Sequence, residues 1–133
     1  RHLGPVGAGQ VAKACNQIAV SATLLGVAEA LTFARREGVD PAAVRQALLG
    51  GFAYSRILEV HGQRMLDEAF TPGFRAALHL KDLRLVLEEA DALGLPLPVT
   101  EAARQSLQAL VNHGDGELDS SALIRMVAAR PFP

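Results

Sequence analysis

The sequence of 133 residues predicts an all-α fold of about six helices, of which the N-terminal one is long. Half of the residues are hydrophobic, but only 5% are aromatic and tryptophan is absent, so the core must be aliphatic and rich in alanine. A core of this kind favours closely packed helices. Runs that alternate between apolar and polar residues do not exceed four residues, so the pattern typical of strands is missing.

The long helix is predicted from residues 8–37, which lack proline and consist mainly of Ala, Val, Leu and Ile before Gly38. Such a helix would be about 45 Å long. Its apolar residues lie almost all round, which is typical of a helix enclosed on most sides. Because a domain of this size cannot enclose the whole helix, we expect a neighbouring domain or a second subunit to cover the rest, in a homodimer or homotetramer.

The second and third helices follow from capping signals. Asp40 suits an N-cap and Pro41 the first helical position, and Gly50–Gly51 ends that helix. Ser55 is predicted to cap a third helix that reaches Leu66.

The remaining helices are separated by turns. Residues 70–74 predict a turn with two aromatic residues, followed by a fourth helix over residues 75–93. Pro98 begins a fifth helix that runs to about Asn112, and Asp119 or Ser120 caps a last helix to Ala129. Four leucines of the fourth helix are expected to face the core: Leu78, Leu83, Leu85 and Leu87.

Charge and cysteine content narrow the class of protein. The net charge is −1 and the basic residues are scattered, so we expect no nucleic-acid partner. Residues 18–34 approach the length of a membrane span, but polar residues interrupt them, and we interpret them as buried in protein. The single cysteine, Cys15, excludes an internal disulfide and suits the cytoplasm, and we interpret it as a small buried side chain. The start at Arg1 without a methionine suggests that residues 1–133 are one domain of a longer chain.

Lysine is rare in this sequence and therefore of interest. The chain contains eleven arginines but only two lysines, Lys13 and Lys81. Asn16 and Gln17 follow Lys13 at i+3 and i+4, which places the three side chains on neighbouring parts of one helix surface. A lysine buried beside amides could serve as a proton donor near neutral pH. The alternative is a lysine that extends into solvent at an exposed helix end.

The other candidate residues favour structural roles. The glycines of the segment Gly4-x-x-Gly7-x-Gly9 reverse the spacing of a dinucleotide-binding loop, so they indicate a linker entering a helix, or a backbone close to an anionic ligand. The pair Lys81–Asp82 favours a solvated face, and His79 a histidine of the core or its rim. Glu29 is expected to be a buried hydrogen-bonded acid or an interface residue. The spacing of His and carboxylate residues predicts no metal site.

Five segments together resemble the C-terminal helical domain of the β-hydroxyacid dehydrogenase family, whose fold is like that of the 6-phosphogluconate dehydrogenase C-terminal domain. These segments are GPVGAGQVAKACNQ, GGFAYSRIL, FTPGFRAALHLKDLRL, LPLPVT and GDGELDSSAL. Within the family, the sequence resembles 2-hydroxy-3-oxopropionate (tartronate semialdehyde) reductases and 3-hydroxyisobutyrate dehydrogenases.

The resemblance implies a reaction and a catalytic residue. An N-terminal Rossmann domain, absent from this chain, would hold NAD or NADP, and the helical domain would provide the substrate and dimerisation half. Lys13 would be the general acid or base, and Asn16, Gln17 and Gly9 would bind substrate, with Asn16 ranked slightly above Gln17. The reaction would interconvert 2-hydroxy-3-oxopropionate and glycerate.

The resemblance also implies a cofactor contact and leaves two alternatives open. Lys81 and Phe74 would lie near the nicotinamide end of the cofactor. The alternatives are activity of the 3-hydroxyisobutyrate dehydrogenase type and a helical dimerisation module without catalysis.

Overall fold

The structure is a computed structural model that describes residues 7–129. Within these residues it is all-α, as predicted, and its only β-type pairing is an isolated bridge between Arg75 and Asp119. A 3₁₀ turn, Ser120–Leu123, precedes the last helix. The six α-helices are α1 Ala8–Arg36, α2 Pro41–Leu49, α3 Arg56–Asp67, α4 Ala76–Ala92, α5 Pro98–Asn112 and α6 Ile124–Ala129.

The predicted caps are confirmed. Asp40 Oδ1 accepts a hydrogen bond from the backbone N–H of Ala42 at 3.0 Å, and Ser55 Oγ accepts one from Leu58 at 2.9 Å. Gly7 precedes α1 with a φ of 95°, a left-handed conformation that glycine adopts without strain. Gly4, the first glycine of the same segment, lies outside the described residues.

Helix α1 is the centre of the fold and packs against all five other helices. The eight buried residues of α1 all lie in its second half, between Ser21 and Ala34. Between Ala8 and Val20 every residue is exposed or half-buried. Among the described residues, α1 is the one helix long and apolar enough to cross a membrane, a criterion that core helices of other proteins also meet.

Three expectations about burial are wrong. Cys15 and Glu29 are both exposed among residues 7–129, so Cys15 is not a buried side chain and Glu29 is not a buried acid, while an interface role of Glu29 remains a prediction. Of the four leucines expected in the core, Leu83 is buried, Leu87 is half-buried, and Leu78 and Leu85 are exposed. The four do not share one face, since a helix turns by about 100° per residue.

Candidate active site

A cleft of about 290 Å³ lies between the first half of α1 and the middle of α4. Each helix contributes residues at i, i+3 or i+4, and i+7, the spacing that brings side chains onto one helix face. The α1 wall consists of Gln10, Lys13, Ala14 and Gln17, and the α4 wall consists of Asp82, Leu85, Val86 and Glu89.

Lys13 lines this cleft but is exposed, so the expectation of a buried amine is wrong for these residues. Every residue of α1 from Ala8 to Val20 is exposed or half-buried, and α4 forms the opposite wall of the cleft. The ammonium group of Lys13 stands on the wall opposite two carboxylates, Asp82 and Glu89. Burial of the amine would require a surface that residues 7–129 do not supply.

Gln17 connects the two walls of the cleft. Its Nε2 donates a hydrogen bond to Oδ2 of Asp82 at 3.2 Å. The bond joins residues 65 positions apart in sequence and fixes the amide relative to α4. Asp82 is half-buried and Lys81 is exposed, so the interpretation of the pair as a solvated face holds for Lys81 only.

Asn16 and Gly9 do not line the cleft, and both are exposed. Asn16 lies roughly 60° around α1 from Lys13, on the side away from Gln17. A Cβ added to Gly9 would meet no atom within 4 Å, so nothing in the described chain requires a glycine there. Their substrate-binding roles remain predictions.

Lys81 and Phe74 lie near the N-terminal end of α4, outside the lining of the cleft. Lys81 is exposed and stands one helical turn before Leu85, at the outer edge of the α4 wall. Phe74 is half-buried, and its ring centroid lies 5.0 Å from that of the His79 ring. Phe74 thus lies just before α4 and Lys81 in its first half, and their cofactor roles remain predictions.

A buried carboxylate supports the turn that carries Phe74. Oδ1 of Asp119 accepts hydrogen bonds from the backbone N–H groups of Gly73 at 2.9 Å and Phe74 at 3.0 Å. Its Oδ2 accepts from the backbone and hydroxyl of Ser121, which confirms the predicted cap. Burial acts to raise the pKa of Asp119, but the hydrogen bonds from Ser121, Phe74 and Gly73 outweigh it and lower the pKa to about 2.

His79 is a core residue, as interpreted from the sequence, and is buried. Its Nδ1 lies 2.8 Å from Oγ of Ser120, while its Nε2 is buried without a hydrogen-bond partner. Burial lowers the pKa of His79 from 6.5 to about 4, against the opposing charges of Asp82 and Asp119. The imidazole is therefore neutral at pH 7.

Sequence reasoning missed Gln10 and Glu89 as cleft residues, and it missed the contact between Asp82 and Gln17. The sequence does contain a signal, because polar residues recur seven positions apart on both α1 and α4. However, only the tertiary structure shows that these two helices face each other. Within residues 7–129, no group of three or more His, Cys, Asp or Glu side chains could hold a metal ion.

Comparison with known proteins identifies relatives along nearly the whole chain. Residues 7–127 match the family described as NAD-binding of NADP-dependent 3-hydroxyisobutyrate dehydrogenase. The chain is 50% identical over 123 residues to 2-hydroxy-3-oxopropionate reductase of Escherichia coli (strain K12), a match that covers 92% of this chain and 42% of that protein. It is 38% identical to probable 3-hydroxyisobutyrate dehydrogenase-like 1, mitochondrial, of Arabidopsis thaliana, covering 92% of this chain and 36% of that protein.

The fold comparison agrees with the sequence comparison. The crystal structure of 3-hydroxyisobutyrate dehydrogenase from Salmonella typhimurium matches with a TM-score of 0.86 and 30% identity, over 90% of this chain and 42% of that one. The chain thus spans less than half the length of these relatives. The family is defined by binding of a nicotinamide cofactor, in agreement with the predicted NAD or NADP. This chain belongs to the family of NAD-binding domains of NADP-dependent 3-hydroxyisobutyrate dehydrogenase.

Proposed function

We propose that this chain is the helical, substrate-binding half of an NAD(P)-dependent hydroxyacid dehydrogenase in which Lys13 is the general acid or base. The observation that carries the proposal is the cleft, where the Lys13 amine stands between Gln10 and Gln17 on one wall. The substrate pair is 2-hydroxy-3-oxopropionate and glycerate, supported by the 50% identity to a reductase of that name.

The size and chemistry of the cleft suit a small hydroxyacid. Its volume of about 290 Å³ is at the lower end of the range for ligand pockets. The Lys13 ammonium and the amide N–H groups of Gln10 are donors for the oxygens of such a substrate. The amide nitrogen of Gln17 is held by Asp82, which fixes how Gln17 is presented to a ligand.

The proposed chemistry uses the Lys13 amine to move one proton. When bound, the reduced cofactor supplies hydride to the carbonyl carbon of the aldehyde. The ammonium of Lys13 donates its proton to the carbonyl oxygen, which becomes the hydroxyl of the product. In the reverse direction, the neutral amine accepts the hydroxyl proton. The positive charge also stabilises the negative charge that develops on oxygen in the transition state.

Lys81 and Phe74 fit the nicotinamide end of the cofactor. Both lie near the start of α4, and Leu78 continues the α4 wall one turn beyond Asp82 with an exposed apolar side chain. A cation, an aromatic ring and an apolar surface are suitable neighbours for a nicotinamide ring and its phosphates. A Rossmann domain docked on this side of the cleft would also cover Lys13.

A second uncovered surface supports self-association. A groove of about 690 Å³ runs along the second half of α1 and α2. It contains Phe33, which is 69% exposed, together with Val39, Val44 and Leu48. We assign this apolar groove to a second copy of the chain, in a homodimer or homotetramer in the cytoplasm, without a nucleic-acid or membrane partner.

Replacement of Lys13 tests the proposed function. In the protein joined to its dinucleotide-binding domain, Lys13→Ala should lower kcat by roughly 10²–10⁴-fold while the Kd for NAD(P)H is unchanged. Lys13→Arg should fail equally, because a guanidinium does not release its proton. Gln105→Ala, an exposed substitution on α5 outside both the cleft and the apolar groove, is the control. Near-normal turnover by Lys13→Ala would refute the role of this residue.

Two alternatives lead to different results in the same assays. The family description favours 3-hydroxyisobutyrate, so kcat/KM should be compared for the aldehydes of the two substrate pairs. The groove at Phe33 favours a dimerisation module without catalysis. That module would self-associate, but addition of a dinucleotide-binding domain and cofactor would have no effect on it.

A further inference from the structure

The buried network around Asp119 holds more than a helix cap requires. Asp119 is 1% exposed, and its Oδ2 alone serves the cap at Ser121. Its Oδ1 is used elsewhere, for the backbone N–H groups of Gly73 and Phe74 and for an ion pair with Nη1 of Arg64 at 3.0 Å. One oxygen of this carboxylate therefore binds the turn that leads into α4.

Both polar groups of the Phe74 backbone, the N–H and the carbonyl oxygen, are hydrogen-bonded. Its N–H donates to Asp119, and its carbonyl oxygen accepts from the backbone N–H of Ser120 at 3.0 Å and from the Ser120 hydroxyl at 3.1 Å. Its ring packs on His79 at a centroid distance of 5.0 Å. Three residues thus fix both the position and the ring orientation of Phe74.

The direction of the hydrogen bonds between these residues follows from donor counting. Ser120 has one hydroxyl hydrogen, which it donates to the carbonyl oxygen of Phe74. Oγ of Ser120 must therefore accept from Nδ1–H of His79 in the 2.8 Å contact. This arrangement needs the neutral Nδ1–H tautomer of His79. His79 thus donates a hydrogen bond to Ser120, and Ser120 donates one to the carbonyl oxygen of Phe74.

The network is continuous with the α4 wall of the cleft. His79, Asp82 and Val86 occupy positions i, i+3 and i+7 of α4, so they lie along one face. The first turn of α4 has no side-chain cap, and the N–H groups of Ala76 and Ala77 donate to carbonyl oxygens of the 116–118 segment at 2.8 and 2.9 Å. The segment that contains the network thus determines where α4 begins.

We propose that Asp119, Ser120 and His79 are positioning residues for the cleft. They fix Phe74 beside the nicotinamide. They also hold α4 at the position relative to α1 in which Asp82 faces Gln17. The placement of Phe74 beside the nicotinamide rests on the proposed function, whereas the position of α4 relative to α1 does not. Loss of the network should therefore change the geometry of the cleft as well as the stability of the fold.

Adjacent serines provide a matched test. Ser120 and Ser121 are both buried and both hydrogen-bonded, but only the Ser120 side chain contacts Phe74 and His79. In the protein joined to its dinucleotide-binding domain, at a temperature where both variants are fully folded by circular dichroism, Ser120→Ala should lower kcat about tenfold and raise the cofactor KM. Ser121→Ala removes a bond only from Oδ2 of Asp119 and should change both constants much less than Ser120→Ala. His79→Phe, which retains a ring on Phe74 but removes the donor, should behave like Ser120→Ala.

A second measurement is independent of activity. The side-chain amide resonances of Gln17 report its contact with Asp82, and they should shift in Ser120→Ala but not in Ser121→Ala. Identical constants and identical resonances in the two serine variants would overturn the positioning role. If the resonances shift as expected but the parent protein shows no turnover with NAD(P)H, the proposed function is wrong. The claim that the network positions α4 relative to α1 is then still supported.

Discussion

The two halves of α1 have similar composition but different surroundings. From Ser21 to Ala34, eight residues are buried against the other helices. From Ala8 to Val20 none is buried, although this half is also rich in Ala and Val. Lys13 and Gln17 belong to the uncovered half. The comparison indicates that the second half of the helix forms the core of the domain, whereas the first half provides the surface of the cleft.

A pair of core and surface substitutions should show the largest difference between the halves. Leu31 is 1% exposed and Val11 is 59% exposed. Leu31→Ala should lower the free energy of unfolding by about 2–5 kcal/mol through lost burial and a cavity. Val11→Ala should change it by less than about 0.5 kcal/mol. Urea unfolding of the chain measures both, and similar losses would show that the first half is packed into the domain after all.

The acid sensitivity of the fold should arise from the buried His79 and not from the uncovered half of α1. The 3₁₀ turn that carries Ser120 packs on α1, and His79 binds Ser120. Because the pKa of His79 is lowered from 6.5 to about 4, the unfolded state binds a proton more readily. Stability should therefore be complete above pH 6.5 and decrease as the pH falls toward 4. The pKa of His61 is also lowered by burial, and this residue should contribute in the same direction.

Substitution of His79 distinguishes its contribution to the pH dependence of stability from the contributions of other titratable groups. Asp119, with its pKa lowered from 3.8 to about 2, stabilises the fold above pH 3.8 and loses this contribution only below it. His79→Phe should flatten the profile of melting temperature between pH 6.5 and 4, whereas Lys13→Ala should leave its shape unchanged. An unchanged profile in His79→Phe would contradict the assignment.

The smallest expected difference is between two neighbouring residues of the uncovered first half of α1. Gln17 lines the cleft and Asn16 does not, so Gln17→Ala should raise the substrate KM by about tenfold, or roughly 1.4 kcal/mol. Asn16→Ala should change it by less than about twofold. Steady-state kinetics on the protein joined to its dinucleotide-binding domain distinguish the two, and the reverse order would show that docking reorganises this face of α1.

Local signals were sufficient to predict the helices. The caps at Asp40 and Ser55, the glycines after the second helix and the absence of proline before Gly38 each depend on a few neighbouring residues. The exposed positions of Leu78 and Leu85 could not be predicted in this way, because the sequence does not show which face of α4 meets another helix.

The site was predictable only in part for the same reason. Rarity of lysine and its spacing from Gln17 pointed to the part of α1 that lines the cleft. The partner of Gln17 is 65 residues away, and the contacts of Asp119 with Gly73 and Phe74 span 46 and 45 residues. Burial of Lys13 would require a surface that residues 7–129 do not supply.

The central claim is that a docked domain encloses the Lys13 amine, and its chemical reactivity tests this most directly. Competitive acetylation followed by mass spectrometry gives the relative reactivity of Lys13 in the separate chain and in the protein joined to its dinucleotide-binding domain with NAD(P)H bound. We predict a loss of reactivity of about tenfold or more in the joined protein. Equal reactivity in the two forms would contradict the account.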